Sequence, residues 1–353
     1  MSAPNLKTKR SRFLLCLVGT ISLVYLTSSF WNDRQEDRLS SPIFNAGSNS
    51  HCKSLTPALG PYKEAHISES GDYCLKSDFW QHSLSDFAGH RGPARHHYLI
   101  GIRGVSATID LNNFTLHSEG HSSGIVGLAF PTISQESAAG EGRYPLTVIT
   151  IKNGVIDFRG LGTGIKFVEG FGMMDITDSP HVQATPLNRK VILENLLIRT
   201  DNVGIMIDGD NTVIRNCVIE SAGDAAIVIT GENAQISNNK ITLKDPFFST
   251  EYRNSNAISL AYFLKTKNAK KAAIVMKNAK NGVIRDNHIF VEGGSTIRYD
   301  IFLQNSFDII IEGNTLLKGN GPSTVLLDST AIIRNNILNN PPPRPWWQFY
   351  KNY

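Results

Sequence analysis

The stretch VGIMIDGDNTVIRNCVIESAGDAAIVITGENAQISNNKI, residues 203–241, nearly repeats itself. Ile205 and Ile207 return 22 residues later as Ile227 and Ile229. Self-similarity at a fixed period of this size is typical of structural units that stack on one another. The sequence therefore predicts a chain built from stacked turns of about 22 residues each.

Each unit contains a short segment in which apolar residues alternate. In GIMID, residues 204–208, the alternation of a β-strand directs Ile205 and Ile207 inward and Met206 and Asp208 outward. The same type of segment recurs as GIKFV (164–168), AIVIT (226–230), AISLA (257–261), DIFLQ (300–304) and TVLLD (324–328). Apolar residues at the helical spacing do not extend over ten residues here, so a solenoid of helices is excluded.

A second element, I-x-x-N-x-I, also recurs in successive units. It occurs as ILENLLI (192–198), VIRNCVI (213–219), QISNNKI (235–241), VIRDNHI (283–289), IIEGNTL (310–316) and IIRNNIL (332–338). One column of the alignment reads Asn195, Cys217, Asn239, Asn287, Asn314 and Asn336. Asparagine tolerates a left-handed backbone, and stacked amides can form a hydrogen-bonded ladder. We expect a structural role for these asparagines and a buried packing role for Cys217.

These patterns predict an all-β fold, a right-handed parallel β-helix solenoid. The spacing between successive strands of the first kind varies, so some turns carry inserted loops, which often serve function. One insertion is residues 170–190. Another, KTKNAKKAAIVMKNAK at residues 265–280, carries six lysines and is either a solvated loop or a basic wall that attracts an acidic glycan.

The domain organisation follows from the composition of the chain ends. Residues 1–12 are basic, and residues 13–31 carry no charge and are long enough to span a bilayer, which takes about 20 residues. This predicts a signal anchor with a cytoplasmic N-terminus and the rest facing the periplasm or exterior; cleavage of a signal peptide and secretion is the alternative. Residues 32–50 form a linker, residues 51–340 the β-helix domain, and residues 341–353 a Pro/aromatic tail that caps the solenoid or stacks on sugars.

Charge and motifs narrow the function classes. A net charge of +4 over 353 residues is too mild to indicate a nucleic-acid partner. Zinc-type cysteine pairs, Walker motifs and dinucleotide glycine motifs are missing from the sequence. No motif in the sequence identifies a cofactor, and calcium is a candidate. Cys52 and Cys74 form a disulfide if the domain is exported, and are two unpaired thiols otherwise.

Two further regions resemble a known superfamily. ISESGDYCLKSDF (67–79) and YLIGIRGVSATIDLNNFTL (98–116) resemble the opening turn of pectate-lyase-like β-helix proteins. RTDNVGIMID (199–208) and SAGDAAIVITG (221–231) resemble two polygalacturonase strands, although Ala225 replaces a second aspartate and the later G-H-G and R-I-K elements are missing. The resemblance implies an extended polysaccharide bound in a groove beside one parallel sheet.

Alignment of the strands brings a set of polar residues to the turns that lead into one sheet. Adjacent turns lie about 4.8 Å apart, so Asp201 and Asp224 fall within the roughly 5–9.5 Å that glycosidase carboxylate pairs use. We expect Asp201 and Asp224 to be the catalytic carboxylates, assisted by Arg298 and Tyr299. The predicted substrate-binding residues are Asp208, Asn202, Asn254, Asn256, Lys166, Arg253, Asp300 and Gln304.

The sequence thus favours an enzyme that cleaves an acidic, uronate-containing extracellular polysaccharide during exopolysaccharide export or turnover. Hydrolysis would use the carboxylate pair. β-Elimination would need a base and a cation, for which Arg298, Tyr299, Arg253 and Lys166 are candidates. The alternatives are a noncatalytic glycan-binding or assembly protein with the same groove, and a polysaccharide epimerase.

Overall fold

The computed structural model describes residues 51–56, 64–81, 98–120, 123–128, 146–160, 162–168, 189–244, 271–292, 297–317 and 321–339. All of them belong to one compact unit, Phe44–Tyr353. The predicted segments 1–12, 13–31 and 32–50, the insertion 170–188 and the tail 341–353 lie outside the described residues. In the described part of the chain, no helix has the length and hydropathy of a membrane span.

Strands are the regular elements of the described residues. In chain order they are β1 (Lys53–Leu55), β2 (Ala65–Ile67), β3 (Gly71–Leu75), β4 (Phe79–Gln81), β5 (Tyr98–Arg103), β6 (Ala107–Asp110), β7 (Thr115–Gly120), β8 (Ser123–Leu128), β9 (Thr147–Gly160), β10 (Ile165–Phe167), β11 (Arg189–Thr200), β12 (Ile205–Asp208), β13 (Val213–Arg215), β14 (Val218–Ser221), β15 (Ala225–Glu232), β16 (Gln235–Ser237), β17 (Lys240–Leu243), β18 (Lys271–Lys280), β19 (Val283–Arg285), β20 (His288–Val291), β21 (Arg298–Gln304), β22 (Ile309–Glu312), β23 (Thr315–Leu317), β24 (Thr324–Leu327), β25 (Ala331–Arg334) and β26 (Ile337–Asn339).

Two sheets of parallel strands wind around one core. The nine-stranded sheet has the order β2-β5-β8-β10-β12-β15-β18-β21-β24, so each turn of the chain adds one strand to it. The 17-stranded sheet has two limbs: the first holds β1, β3, β6, β13, β16, β19, β22 and β25, and the second holds β4, β7, β14, β17, β20, β23 and β26. The long strands β9 and β11 run through both limbs. This is the predicted parallel β-helix.

The repeat sets the register of the stack. Ile205 pairs with Ile227, and Ile207 with Ile229, on the adjacent strands β12 and β15. All four isoleucines are at most 1% exposed and belong to a continuous apolar core inside the turns. Because a shift by one residue would turn every apolar side chain outward, the alternation fixes this register.

The corner between the two limbs holds two asparagine columns. The first column has left-handed φ values of 55–65° at Asn216, Asn238, Asp286, Gly313 and Asn335. The second column is the predicted ladder, in which the side-chain amides of Asn239, Asn287 and Asn314 donate to the next amide oxygen at 2.9–3.0 Å. Asn195 belongs to the left-handed column, with φ 56°, and Leu196 takes the ladder position beside buried Cys217, so the predicted place of Asn195 is wrong by one residue.

The strand that follows β15 in the nine-stranded sheet is β18, Lys271–Lys280. Residues 272–276 are buried, so the predicted surface loop over 265–280 is wrong for its second half. The segment AAIVM (272–276) matches AAIVI (225–229), but the lysines on both sides of it made the segment resemble a surface loop. The segment AISLA (257–261), which the sequence placed in this position, lies outside the described residues. The predicted alignment of TVLLD (324–328) with DIFLQ (300–304) is wrong by one residue, because Thr324 pairs with Ile301 and not with Asp300.

The outer face of the nine-stranded sheet, the side that points away from the core, is largely apolar. Met206, Val228, Val275 and Phe302 pair in succession across β12, β15, β18 and β21, and each is at most 8% exposed. They form a second apolar cluster, separate from the core. On these four strands, polar side chains of this face are therefore concentrated at the strand ends, whereas Lys166 takes the middle position on β10.

The two ends of the described stack differ. Near its start, a disulfide joins Cys52, the residue before β1, to Cys74 on the paired strand β3, with a Cα–Cα distance of 5.7 Å. At its other end, the last turn leaves Leu326, Ile333 and Leu338 between 42% and 66% exposed. These residues continue core columns, because Leu326 pairs with Leu303, Ile333 with Ile311 and Leu338 with Leu316.

Candidate functional site

The leading edge of the nine-stranded sheet is the row of residues at or just before the start of its strands, Asn202, Asp224, Lys271 and Arg298. The pairings Ala225–Ala272 and Lys271–Arg298 set this row in register. The ammonium group of Lys271 lies 3.4 Å from Oδ1 of Asp224. Both side chains are at least nine-tenths buried, so the pair has little solvent screening. Asp224, a predicted catalytic residue, is thus held by a cation on the next strand.

Asp201 lies one position outside this row. The offset of 22 residues between β12 and β15, read from Ile205 and Ile227, sets Asn202 beside Asp224 and Asp201 beside Gly223. The carbonyl oxygen of Asn202 accepts hydrogen bonds from the hydroxyls of Thr200 and Ser221, which fixes the chain at this corner. Asp201 and Asn202 are partly exposed, and their predicted roles stay predictions.

Arg298, Tyr299 and Asp300 open strand β21. Arg298 is 1% exposed, and its Nη1 donates to the carbonyl oxygen of Glu292 at 3.4 Å. Asp300 is also 1% exposed and continues an inward corner column of small residues, Gly204, Ala226 and Ala273. Tyr299 is partly exposed and stacks on Phe302 with ring centroids 6.0 Å apart. Of these three, only Tyr299 presents surface to a ligand in this structure.

The trailing edge of the same sheet, where its strands end, carries a second polar group centred on Asp208. Thr230, its partner across β12 and β15, donates its hydroxyl to Oδ1 of Asp208 at 2.6 Å. Burial raises the pKa of Asp208 above its ordinary value, and the hydrogen bond from Thr230 and the charge of Arg189 offset this only in part. The environment thus favours the protonated carboxyl, a form that can donate a proton.

Lys166 lies on the neighbouring strand of this outer face. It pairs with Met206, two residues before Asp208, which puts the Lys166 and Asp208 side chains on one face with Cβ atoms about 7–8 Å apart. Burial lowers the pKa of Lys166, which favours the neutral amine. The two groups are therefore shifted in the directions that suit an acid and a base.

Two more polar residues extend the trailing edge. Lys277 pairs with Gln304 on β21, and both are partly exposed. Lys277 follows Met276, the partner of Ile229, and so lies on the strand next to Thr230. Sequence reasoning missed Lys277 as a site residue because it read this segment as a loop; the match of AAIVM to AAIVI is the signal that identifies it.

Three predicted binding residues, Arg253, Asn254 and Asn256, lie outside the described residues. Within the described ranges, no group of three or more His, Cys, Asp or Glu side chains is placed to hold a metal ion. Lys166 on β10 and the trailing-edge residues Asp208, Thr230 and Lys277 therefore offer acid–base groups and a cation on one face. The leading edge offers a buried ion pair.

Comparisons with known proteins address the fold. Residues 176–348 match the family model described as right handed beta helix region. No curated protein matches the chain. Full-length tailspike protein 2 from Escherichia coli O157:H7 bacteriophage CAB120 aligns over 78% of this chain and 34% of its own, with 14% identity and a TM-score of 0.49.

A second solved structure, the enzymatically active domain of bacteriophage CBA120 tailspike protein 2, aligns over 75% of this chain and 43% of its own, with 14% identity and a TM-score of 0.34. The chain therefore spans less than half the length of either structure. Together with the parallel strand order and the buried asparagine ladder, the family match identifies the chain as a right-handed parallel β-helix protein.

Proposed function

We propose that the protein binds an acidic, uronate-containing polysaccharide along the trailing edge of the nine-stranded sheet and cleaves it by β-elimination. The observation that carries this proposal is the placement of Lys166 and Asp208 on one face of the adjacent strands β10 and β12. Burial lowers the pKa of Lys166 and raises the pKa of Asp208, which supports it. Each shift favours the neutral form. A neutral amine accepts a proton and a neutral carboxyl donates one, which are the two proton transfers of this reaction.

The elimination assigns one step to each group. Lys166 takes the proton from the carbon next to the uronate carboxylate, and the electron pair of that C–H bond becomes the new C=C bond. The bond from the adjacent carbon to the glycosidic oxygen breaks, and Asp208 gives its proton to the leaving oxygen. Lys277 pairs with the uronate carboxylate and stabilises the charge that develops there. No redox partner is needed.

This proposal moves the chemistry away from Asp201 and Asp224. The carboxylate of Asp224 is held in a buried ion pair with Lys271 and is thus already engaged within the sheet. Tyr299, which is partly exposed and stacks on the buried Phe302, lies on the same sheet as the trailing edge and offers an aromatic ring to a sugar.

The test compares the full chain with the variants Lys166→Met and Asp208→Asn on polygalacturonate, alginate and a neutral glucan. Ultraviolet absorbance of the unsaturated uronate reports elimination. We expect each variant to lower kcat by about 10²–10⁴-fold. The control Lys280→Met, an exposed lysine at the end of the same strand as Lys277, should keep the wild-type rate. Wild-type rates in both Lys166→Met and Asp208→Asn would contradict the proposal.

The same assay separates the alternatives by product. Reducing ends without unsaturation mean hydrolysis, and an altered uronate configuration at constant chain length means epimerisation. Binding without any product favours a glycan-binding or assembly protein. Each of these three results would overturn β-elimination as the activity.

We further propose that the protein works outside the cytoplasm, with residues 13–31 as an anchor or a cleaved signal. The disulfide between Cys52 and Cys74 supports this location, since such bonds persist in oxidising compartments. Fractionation of cells that produce the full chain, followed by N-terminal sequencing, tests it. A protein recovered in the cytosol with both thiols reduced would contradict it.

A further inference from the structure

The open end of the stack is the last described turn, formed by β24, β25 and β26. Its inward side chains, Leu326, Ile333 and Leu338, are between 42% and 66% exposed, whereas their partners on the preceding turn are at most 2% exposed. The outward residues Ile332 and Ile337 of the same turn are 59% and 57% exposed. Within the described residues, no further strand pairs with the outer edges of these three strands. An apolar surface beside free strand edges is typical of a site that takes up another segment.

The first turn of the stack provides a comparison. Leu55 on β1, Ile67 on β2 and Phe79 on β4 are core residues on the first strand of each face. Each of them is at most 7% exposed, so the core is closed at this end. The terminal units of a solenoid expose apolar core unless something caps them. The open end therefore lacks, in the described residues, the cover that the first turn has.

The sequence that follows β26 has the composition of such a cover. Strand β26 ends at Asn339, and residues 341–353, which lie outside the described residues, read PPPRPWWQFYKNY. The prolines at positions 341, 342, 343 and 345 have no N–H to donate, so this segment cannot directly add another strand to the sheet. Four large aromatic residues follow within positions 346–350, and each can bury about 150–250 Å².

We propose that residues 346–350, WWQFY, dock on the open end and complete the core of the last turn. In the extended polyproline conformation, the five residues 341–345 span about 15 Å, which exceeds the distance of about 10 Å between packed sheets. The aromatic side chains can therefore reach Leu326, Ile333 and Leu338 from the end of β26. Attachment to the adjacent strand gives the tail a high effective concentration at this surface, which favours it over a second copy of the chain. This proposal does not rest on the elimination chemistry.

Photochemical cross-linking in the full chain tests the contact itself. The variant Phe349→p-benzoylphenylalanine is irradiated, and mass spectrometry identifies the cross-linked peptides. We expect cross-links to residues 324–339 of the same chain. The matched control places the same analogue at Ser77, an exposed residue near the first turn, and should give no cross-link to residues 324–339. Cross-links between two chains, or none to the last turn, would overturn the proposal.

A double variant of the full chain, Trp346→Ser with Trp347→Ser, measures the consequence for the open end. We expect its Tm to fall by about 5 °C or more, because the aromatic cover is lost. Sedimentation should show association at protein concentrations where the wild-type chain does not associate. The control Lys351→Ser changes a polar residue of the same tail and should keep the wild-type Tm. An unchanged Tm together with weaker polysaccharide binding would overturn the proposal, since the tail would then stack on sugars.

Discussion

The asparagine corner and the leading edge of the nine-stranded sheet are both columns that recur once per turn, but they differ in composition. The ladder repeats one residue type, from Asn239 through Asn336, and each amide bonds to the next. The leading edge changes from Asn202 to Asp224, Lys271 and Arg298 over successive strands. A column whose side chains bond to one another from turn to turn keeps its residue type over those turns. A column that varies is free to acquire local pairs or a function.

The largest effect is expected in the ladder. Asn287→Ala removes four side-chain hydrogen bonds. The side-chain oxygen of Asn287 accepts two of them, from the backbone N–H and the side-chain amide of Asn239, and its amide nitrogen donates the other two, to Ile236 O and to Asn314 Oδ1. Because the site is fully buried, the former partners of Asn287 cannot bond to water instead. We therefore expect the free energy of unfolding to fall by about 4 kcal/mol. Denaturant unfolding measures it. Asn238→Gly, in the exposed left-handed column, is the control and should change stability by only a few tenths of that amount.

A smaller loss is expected at the leading edge. Asp224→Ala removes the carboxylate that lies 3.4 Å from the buried ammonium of Lys271, and we expect a loss of about 3 kcal/mol. The double variant Asp224→Leu, Lys271→Met removes both charges and should recover most of that stability. We expect the double variant to keep polysaccharide cleavage. If it folds with normal stability and has lost activity, Asp224 takes part in the chemistry and the comparison fails.

The smallest effect has the opposite sign. Burial raises the pKa of Asp208 in the folded state, so the folded state binds a proton at this carboxyl more tightly than the unfolded state does. The resulting contribution to the free energy of unfolding is present below the ordinary pKa of 3.8 and is lost as the pH rises through the folded-state pKa. Asp208→Asn keeps an oxygen for Thr230 and never ionises. We expect its Tm at neutral pH to exceed the wild-type value by a few degrees, with the difference vanishing at acid pH. A lower Tm at neutral pH would contradict this.

Sequence reasoning recovered the fold because regular features have regular causes. The alternation of Ile205 and Ile207 fixes the register, and asparagine accepts the left-handed corner. The assignment of single residues to such columns was less accurate. Asn195 was placed one residue from its true column because a tandem pair such as Asn238 and Asn239 matches both columns equally well.

The site was harder to predict than the fold. The ion pair between Asp224 and Lys271 joins strands separated by 47 residues, from Asp224 to Lys271, so it becomes visible only once β18 is known to follow β15. The outward row of Trp80, His117, Asp157, Arg199 and Glu220 likewise forms only when five strands are in register. No short motif in the sequence predicts either arrangement. Similarly, the opposite pKa shifts of Lys166 and Asp208 come from burial of the two side chains, which the sequence pattern does not predict.

The most direct test of the account measures the formation of unsaturated uronate and the Tm together, for the full chain and for Asp208→Asn. The account predicts product from the wild-type chain on at least one acidic polysaccharide, and a loss of about 10²–10⁴-fold in Asp208→Asn at an equal or higher Tm. Equal rates in the two proteins, or products without unsaturation, would contradict it and place the function of this β-helix elsewhere on its surface.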